Sequence, residues 1–225
     1  FERNSLSSTY GIGYKTPAPA FTDTAKHWAK DSIDFVTSRD LIPGITAKSF
    51  APDTAVTRAT FLMALGRLSG ADLSGFKTSS FTDVKNSDAA MPYIEWAVQN
   101  KIVQGIGDSR FGPDQPISRE QMAVILVNYA TAINDKLPVS MEAITFMDST
   151  KIAAVARDAV TVLQQAGIMR GKGSSFDPQG NVTRGEASVF LHRFMELAMD
   201  ESIARGWSLD DAGQLQYIDA NGIKR

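Results

Sequence analysis

Three arginines, Arg58, Arg119 and Arg184, each stand eight residues after a phenylalanine (Phe50, Phe111, Phe176) and directly after a hydroxyl residue (Thr57, Ser118, Thr183). Behind each arginine, side chains recur at +3, +4 and +7: Phe61, Leu62 and Leu65; Met122, Ala123 and Leu126; Ala187, Ser188 and Leu191. That spacing is helical, so each arginine opens a helix. A cation there opposes the helix dipole at a cost of about 0.3–1 kcal/mol, and three in register require a common reason. One reason is an anion site, in which free first-turn amides, the positive dipole end and a forked guanidinium converge on a carboxylate or phosphate. The other is pairing of each arginine with a loop acid such as Asp53, Asp114 or Asp177. Both readings stay open at this point.

The elements that must position the arginines are also triplicated. Phe21-Thr22-Asp23, Phe81-Thr82-Asp83 and Phe146-Met147-Asp148 open three units that start 60 and then 65 residues apart. A helical stretch follows in each: Trp28 to Arg39, Met91 to Asn100 and Val155 to Gln165. Next come an apolar pair and a glycine, Leu41-Ile42 with Gly44, Ile102-Val103 with Gly105, and Ile168-Met169 with Gly171. The organisation expected is three helix-loop-helix units at 21–70, 81–131 and 146–197, a linker at 1–20 and a distinct tail at 198–225. A helix pair of this size cannot bury its own apolar faces, so the units must pack together.

Most of the recurring residues have a structural reading as well. An F-x-D before a helix predicts that Asp23, Asp83 and Asp148 cap first-turn amides. Ser118 with Gln121 and Thr183 with Glu186 match capping boxes, while Thr57 with Thr60 is an incomplete one. Gly44, Gly105 and Gly171 fit turns of positive φ, or positions where a ligand approaches the backbone closely. Trp28 and Trp96 lie at helical spacing, which suits core packing, and a Trp at a rim would also serve as a stacking surface for a sugar ring. His27 and His192 have no second histidine at metal spacing.

With 225 residues and 43% hydrophobic content the chain can bury a core. A net charge of −2 without runs of Lys or Arg argues against binding nucleic acid by counterion release. Zero cysteines exclude disulfides, thiolate metal sites and cysteine catalysis. No apolar run approaches the roughly 18 residues of a membrane span. The first residue is Phe, so the sequence reads as a piece of a longer or processed chain. A catalytic carboxylate pair would be unique, whereas the notable residues here are triplicated, and this favours binding over catalysis.

In their order, these parts resemble the S-layer homology (SLH) domain family, across about residues 21 to 197. The family's Thr-Arg-Ala-Glu motif stands here as Thr57-Arg58-Ala59-Thr60, Ser118-Arg119-Glu120-Gln121 and Thr183-Arg184-Gly185-Glu186. The resemblance implies an all-α fold: three helix-loop-helix repeats in a pseudo-threefold spindle around a central three-helix bundle. It also implies a non-catalytic, secreted cell-surface anchor without cofactor or metal, fused to a larger surface protein or enzyme. Its partner would be the secondary cell wall polymer attached to the peptidoglycan of Gram-positive bacteria, bound in grooves between repeats. Pyruvylated N-acetylmannosamine is the sugar implied, its carboxylate meeting Arg58, Arg119 or Arg184. Trp28, Trp96, Gly44, Gly105, Gly171 and Glu186 complete the expected ligand-binding set, with a groove joining Arg58 or Arg119 to Trp96 expected to bind tightest. The rival reading is a helical-repeat scaffold that binds another protein at the cell surface. In the tail, Gly206-Trp207, Tyr217 and Asn221-Gly222 faintly resemble the aromatic hairpins of choline-binding-type repeats.

Overall fold

The computed structural model describes residues 17–199, 206–209 and 215–218. Most of the linker expected at 1–20, and much of the tail, lies outside the described residues. Among the described residues there are six α-helices: α1 (Lys30–Thr37), α2 (Arg58–Ser69), α3 (Met91–Gln99), α4 (Arg119–Ala132), α5 (Arg157–Gln165) and α6 (Arg184–Met199). Each unit contributes a short outer helix and then a longer one that opens at its arginine. In the third unit two 3-10 turns, Ser149–Lys151 and Ala154–Ala156, precede α5.

The caps explain where the long helices begin. Thr57, in extended conformation, accepts from the Thr60 amide, and Ser118 forms a reciprocal capping box with Gln121. Thr183 and Glu186 do the same, since the Glu186 amide donates to Thr183 Oγ1 and the Thr183 amide donates to Glu186 Oε2. At its other end α2 stops on Gly70, which takes a left-handed φ of 60°. The outer helices are amphipathic: α1 buries Ile33, Val36 and Thr37 and leaves Asp31 to solvent. The long helices are buried on nearly all sides, with Phe61, Leu62, Ala64 and Leu65 of α2 fully enclosed.

Helices pair across the units rather than within them. α3 packs on α2, α5 on α4, and α1 on α6, so each outer helix covers the arginine helix of the preceding unit and the first unit closes on the third. The ring is also closed at its centre. The Val56 amide donates to the Val182 carbonyl (2.9 Å), the Val182 amide to Ile117 (3.0 Å), and the Ile117 amide back to Val56 (3.1 Å). All three residues are buried, so this triangle pins the starts of α2, α4 and α6 together in a dry environment. Farther along, Tyr129 of α4 touches Phe194 of α6 (ring centroids 5.6 Å) and Trp96 of α3 (6.5 Å), which ties the long helices into one all-α pseudo-threefold core.

Two short strands, β1 (Gly206–Leu209) and β2 (Leu215–Ile218), pair antiparallel with Trp207 in register with Tyr217.

Candidate functional site

The three arginines lie at the three unit junctions, and each reaches into the next unit. Arg58 donates from Nε to the Phe111 carbonyl (3.1 Å) and from Nη2 to Gln104 (2.9 Å). Arg119 reaches Phe176 (2.7 Å) and Arg170 (2.9 Å) in the same way. Arg184 completes the set on Phe50 (2.8 Å) and Pro43 (2.6 Å). Every guanidinium also lies against the ring of the phenylalanine whose carbonyl it holds, at 4.6, 5.0 and 4.5 Å for Arg58, Arg119 and Arg184. All three arginines are buried, and burial lowers their pKa values. An arginine starts so far above neutral that the charge is retained.

This arrangement corrects two expectations. The first-turn amides are not free: Arg58 and Ala59 donate to Gln115 and Pro113, Arg119 and Glu120 to Gly180 and Pro178, and Arg184 and Gly185 to Thr54 and Pro52. Nor do the arginines pair with Asp53, Asp114 or Asp177. Asp53 faces His27 (3.2 Å) and Asp177 faces Lys172 (3.3 Å), while the arginines are held by backbone carbonyls, joined at Arg119 alone by the carboxylate of Glu186. The dipole mismatch at each helix start is offset by these carbonyls and by the Phe face.

Asp23, Asp83 and Asp148 are not helix caps either. The outer helices begin after Ala29, Ala90 and Ala156 without any side-chain cap. Asp23 instead accepts from Ser49 Oγ (2.7 Å) and from the amides of Phe50 (3.0 Å) and Ala51 (2.8 Å). Asp83 takes the amides of Phe111 and Gly112, and Asp148 those of Phe176 and Asp177. Burial works against the charged form, but these donors prevail and bring Asp23 down to about 2. Asp83 and Asp148 are held below the ordinary carboxylate value by the same balance of burial against amide bonds. Each phenylalanine is therefore gripped from both sides: its amide by the aspartate of its own unit, its carbonyl by the arginine of the unit before.

Gly44, Gly105 and Gly171 do not have positive φ. Their role is steric, because the ring of the F-x-D phenylalanine occupies the space of a side chain. A Cβ at Gly105 would lie 2.7 Å from the Phe81 ring and 2.7 Å from the Arg110 carbonyl, and one at Gly171 would lie 2.5 Å from the Phe146 ring. At Gly44 the Phe21 ring fills the same space. The residue before each glycine, Pro43, Gln104 or Arg170, is the one whose carbonyl meets Nη2, so the glycine lets this loop lie close to the arginine. The positive φ falls instead just after each loop phenylalanine, at Ala51 (56°), Gly112 (71°) and Asp177 (60°).

The two tryptophans part company. Trp96 is buried at 3% exposure between α2 and α4, with Gly66 leaving room for it and for Tyr93, so it cannot stack on a ligand, and the groove expected to bind tightest through it does not exist. Trp28 is 67% exposed just ahead of α1, tilted against His27 at 5.5 Å. The His27 ring lies over Gly185, the residue after Arg184, so Trp28 flanks the junction between the third and first units.

Glu186 adds a feature to the Arg119 junction alone. Its Oε1 accepts from Arg119 Nη1 (3.2 Å) and Lys172 Nζ (3.3 Å). At the other two junctions Nη1 of Arg58 and of Arg184 meets no protein acceptor among the described residues. Among the described residues no cluster of His, Cys, Asp and Glu could hold a metal ion. What the arrangement offers is a recessed cation beside Gly-lined loops, repeated three times.

Comparison with known proteins bears on this arrangement. The S-layer homology domain matches at residues 20–62, 80–123 and 145–188, together more than half of the chain. An amylopullulanase of Thermoanaerobacterium thermosulfurigenes is 32% identical over 177 residues, covering 78% of this chain and 9% of that protein. The exoglucanase XynX of Acetivibrio thermocellus is 30% identical over 194 residues, covering 86% of this chain and 18% of its own length. The S-layer protein EA1 of Bacillus anthracis is 27% identical over 167 residues, covering 74% of this chain and 19% of its own. The chain thus spans less than a quarter of the length of each.

Proposed function

Because the chain belongs to the S-layer homology domain family, whose members include S-layer proteins, its role is anchoring at the cell surface; we propose that it does so by binding an acidic secondary cell wall polymer at the junctions between its repeats. The observation that carries the proposal is the unfilled donor edge, Nη1, on the fixed guanidinium of Arg58 and of Arg184. Nε and Nη2 are tied down, so the group is preorganised and presents its remaining hydrogens without further ordering cost. A carboxylate on a sugar, such as the ketal of pyruvylated N-acetylmannosamine, fits a recessed cation of this kind. The glycine loops on one side and exposed Trp28 beside the Arg184 junction suit the rest of the sugar ring. That junction, joining a guanidinium with an aromatic face, is the tightest of the three in this reading. The chain matches only a small part of each relative, so the protein it serves is a larger surface protein or an enzyme of the kinds those relatives represent.

Sedimentation with purified wall sacculi tests the reading. The protein co-sediments with intact sacculi, stays in solution when the polymer has been stripped from the peptidoglycan, and binds less as salt rises. Equal sedimentation with stripped sacculi would defeat it. A scaffold for a protein partner would remain in solution in both cases.

A further inference from the structure

The three junctions differ in who supplies the negative charge. Glu186 sits two residues after Arg184 yet faces Arg119, the arginine of the preceding unit. Both its oxygens are engaged: Oε1 by Arg119 Nη1 (3.2 Å) and Lys172 Nζ (3.3 Å), Oε2 by the Thr183 amide (3.0 Å). The pair is enclosed, with side-chain exposures of 2% for Arg119 and 12% for Glu186. Lys172 is in turn shared with Asp177 at 3.3 Å, so two cations and two carboxylates balance at this junction. By the register of the repeats, the residue in the place of Glu186 is Gln121 at the Arg58 junction and Thr60 at the Arg184 junction, and the residue in the place of Lys172 is Ile106 or Ile45. None of these carries charge.

The geometry points to Glu186 as a built-in counter-anion that closes the Arg119 junction to external acids, leaving Arg58 and Arg184 as the two junctions that select a carboxylate. The assignment rests on the wall-polymer reading above and says which junctions carry it. An incoming carboxylate at Arg119 must displace a tethered one whose effective concentration is of millimolar order or higher, and must leave Glu186 without its partner. At Arg58 and Arg184 nothing has to be displaced. Lys172 strengthens the closure, because it is a second cation on the same Glu186 oxygen that meets Arg119.

The protein itself supplies the control for removing the charge. Gln121 occupies the same position in the second repeat and still completes a capping box with an uncharged side chain. Glu186→Gln therefore keeps the cap on Thr183 and takes away only the counter-anion, and Arg58 and Arg184 show that a junction holds without one. The reciprocal change, Gln121→Glu at an exposed position, installs the counter-anion at the Arg58 junction.

The test follows the Nε–H signals of Arg58, Arg119 and Arg184 by NMR during titration with pyruvylated N-acetylmannosamine, each signal assigned from its Arg→Lys variant. In the unmodified protein the Arg58 and Arg184 signals shift and the Arg119 signal stays in place. In Glu186→Gln all three shift, and in Gln121→Glu the Arg58 response is lost while that of Arg184 remains. A shift at Arg119 in the unmodified protein overturns the assignment and leaves the wall-polymer reading standing. So does a silent Arg119 in folded Glu186→Gln while the other two respond. No response at any of the three arginines in any variant overturns the wall-polymer reading, and this assignment with it.

Discussion

Arg184 donates from Nε to the carbonyl of Phe50 at 2.8 Å, a hydrogen bond that spans 134 positions of sequence and joins the last repeat to the first. The same guanidinium reaches Pro43 and lies over the Phe50 ring, so one side chain holds two loops and an aromatic face of another repeat. The arginine that marks the family motif is thus first a tie between repeats and only then, through Nη1, a donor with something left to offer.

Arg184→Lys is therefore expected to weaken the fold as well as the site. A lysine retains the charge but cannot reach two carbonyls with a planar fork, and the loss is about 2–4 kcal/mol. Urea unfolding followed by circular dichroism measures it. A change below about 0.5 kcal/mol would show that the tie is dispensable.

Acid should loosen all three junctions together. Asp23, with a pKa of about 2, and Asp83 and Asp148, shifted in the same direction, are lower in the folded chain than the roughly 3.9 of an unfolded aspartate. Their contribution to stability is full above about pH 4 and disappears as pH falls from there towards 2. The urea midpoint should drop steeply across that window, and less steeply in Asp83→Asn, where one titrating staple is gone. A midpoint that holds constant between pH 5 and 2.5 would contradict this account of the loops.

Gly105→Ala places a methyl group against the Phe81 ring and the Arg110 carbonyl, both at 2.7 Å. The carbonyl cannot retreat without shifting the loop that Arg58 holds, so a destabilisation of about 1–3 kcal/mol is expected. Gly75→Ala, where no atom stands within 4 Å, is the control and should change stability by less than about 0.5 kcal/mol. Thermal denaturation of the two variants side by side decides the matter.

Ala51→Gly should move stability the other way. Ala51 has a φ of 56°, in the left-handed region where a side chain costs about 1–2 kcal/mol, and the second repeat has Gly112 in that place. Allowing for the extra chain entropy that glycine loses, a gain of about 0.5–1 kcal/mol remains. A lower melting temperature for this variant would refute the strain at Ala51.

What the sequence made legible was what is decided within a few residues. The helix starts at Arg58, Arg119 and Arg184 and the capping boxes at Ser118 and Thr183 depend on side chains three positions apart, and local spacing reveals them. The triplication told of units that pack together. The destinations of Asp23, Asp83 and Asp148 were not legible, since their partners lie 26 to 29 positions downstream and F-x-D before a helix imitates a cap. The tryptophans misled for a different reason. Trp28 stands five residues before buried Ile33, whereas Trp96 stands two after buried Ile94, so they occupy different registers of the repeat and only the second faces the core. Glu186 was visible as a departure among the three motifs, but its partner, Arg119, became apparent only once the long helices were known to meet across repeats.

The triangle of amides and carbonyls formed by Val56, Val182 and Ile117 has no unpaired member. A solenoid grows by adding copies at an end, because its last repeat always exposes an unfilled face. Here a fourth copy would find no donor or acceptor to receive it, and a chain with two copies would leave one of each stranded in the core. Unfolding should accordingly proceed as a single transition with no stable sub-array. One of its bonds, from Val56 to Val182, already joins the third repeat to the first without a covalent connection, so a permutant that begins at the second repeat and links the third to the first retains the same closed core.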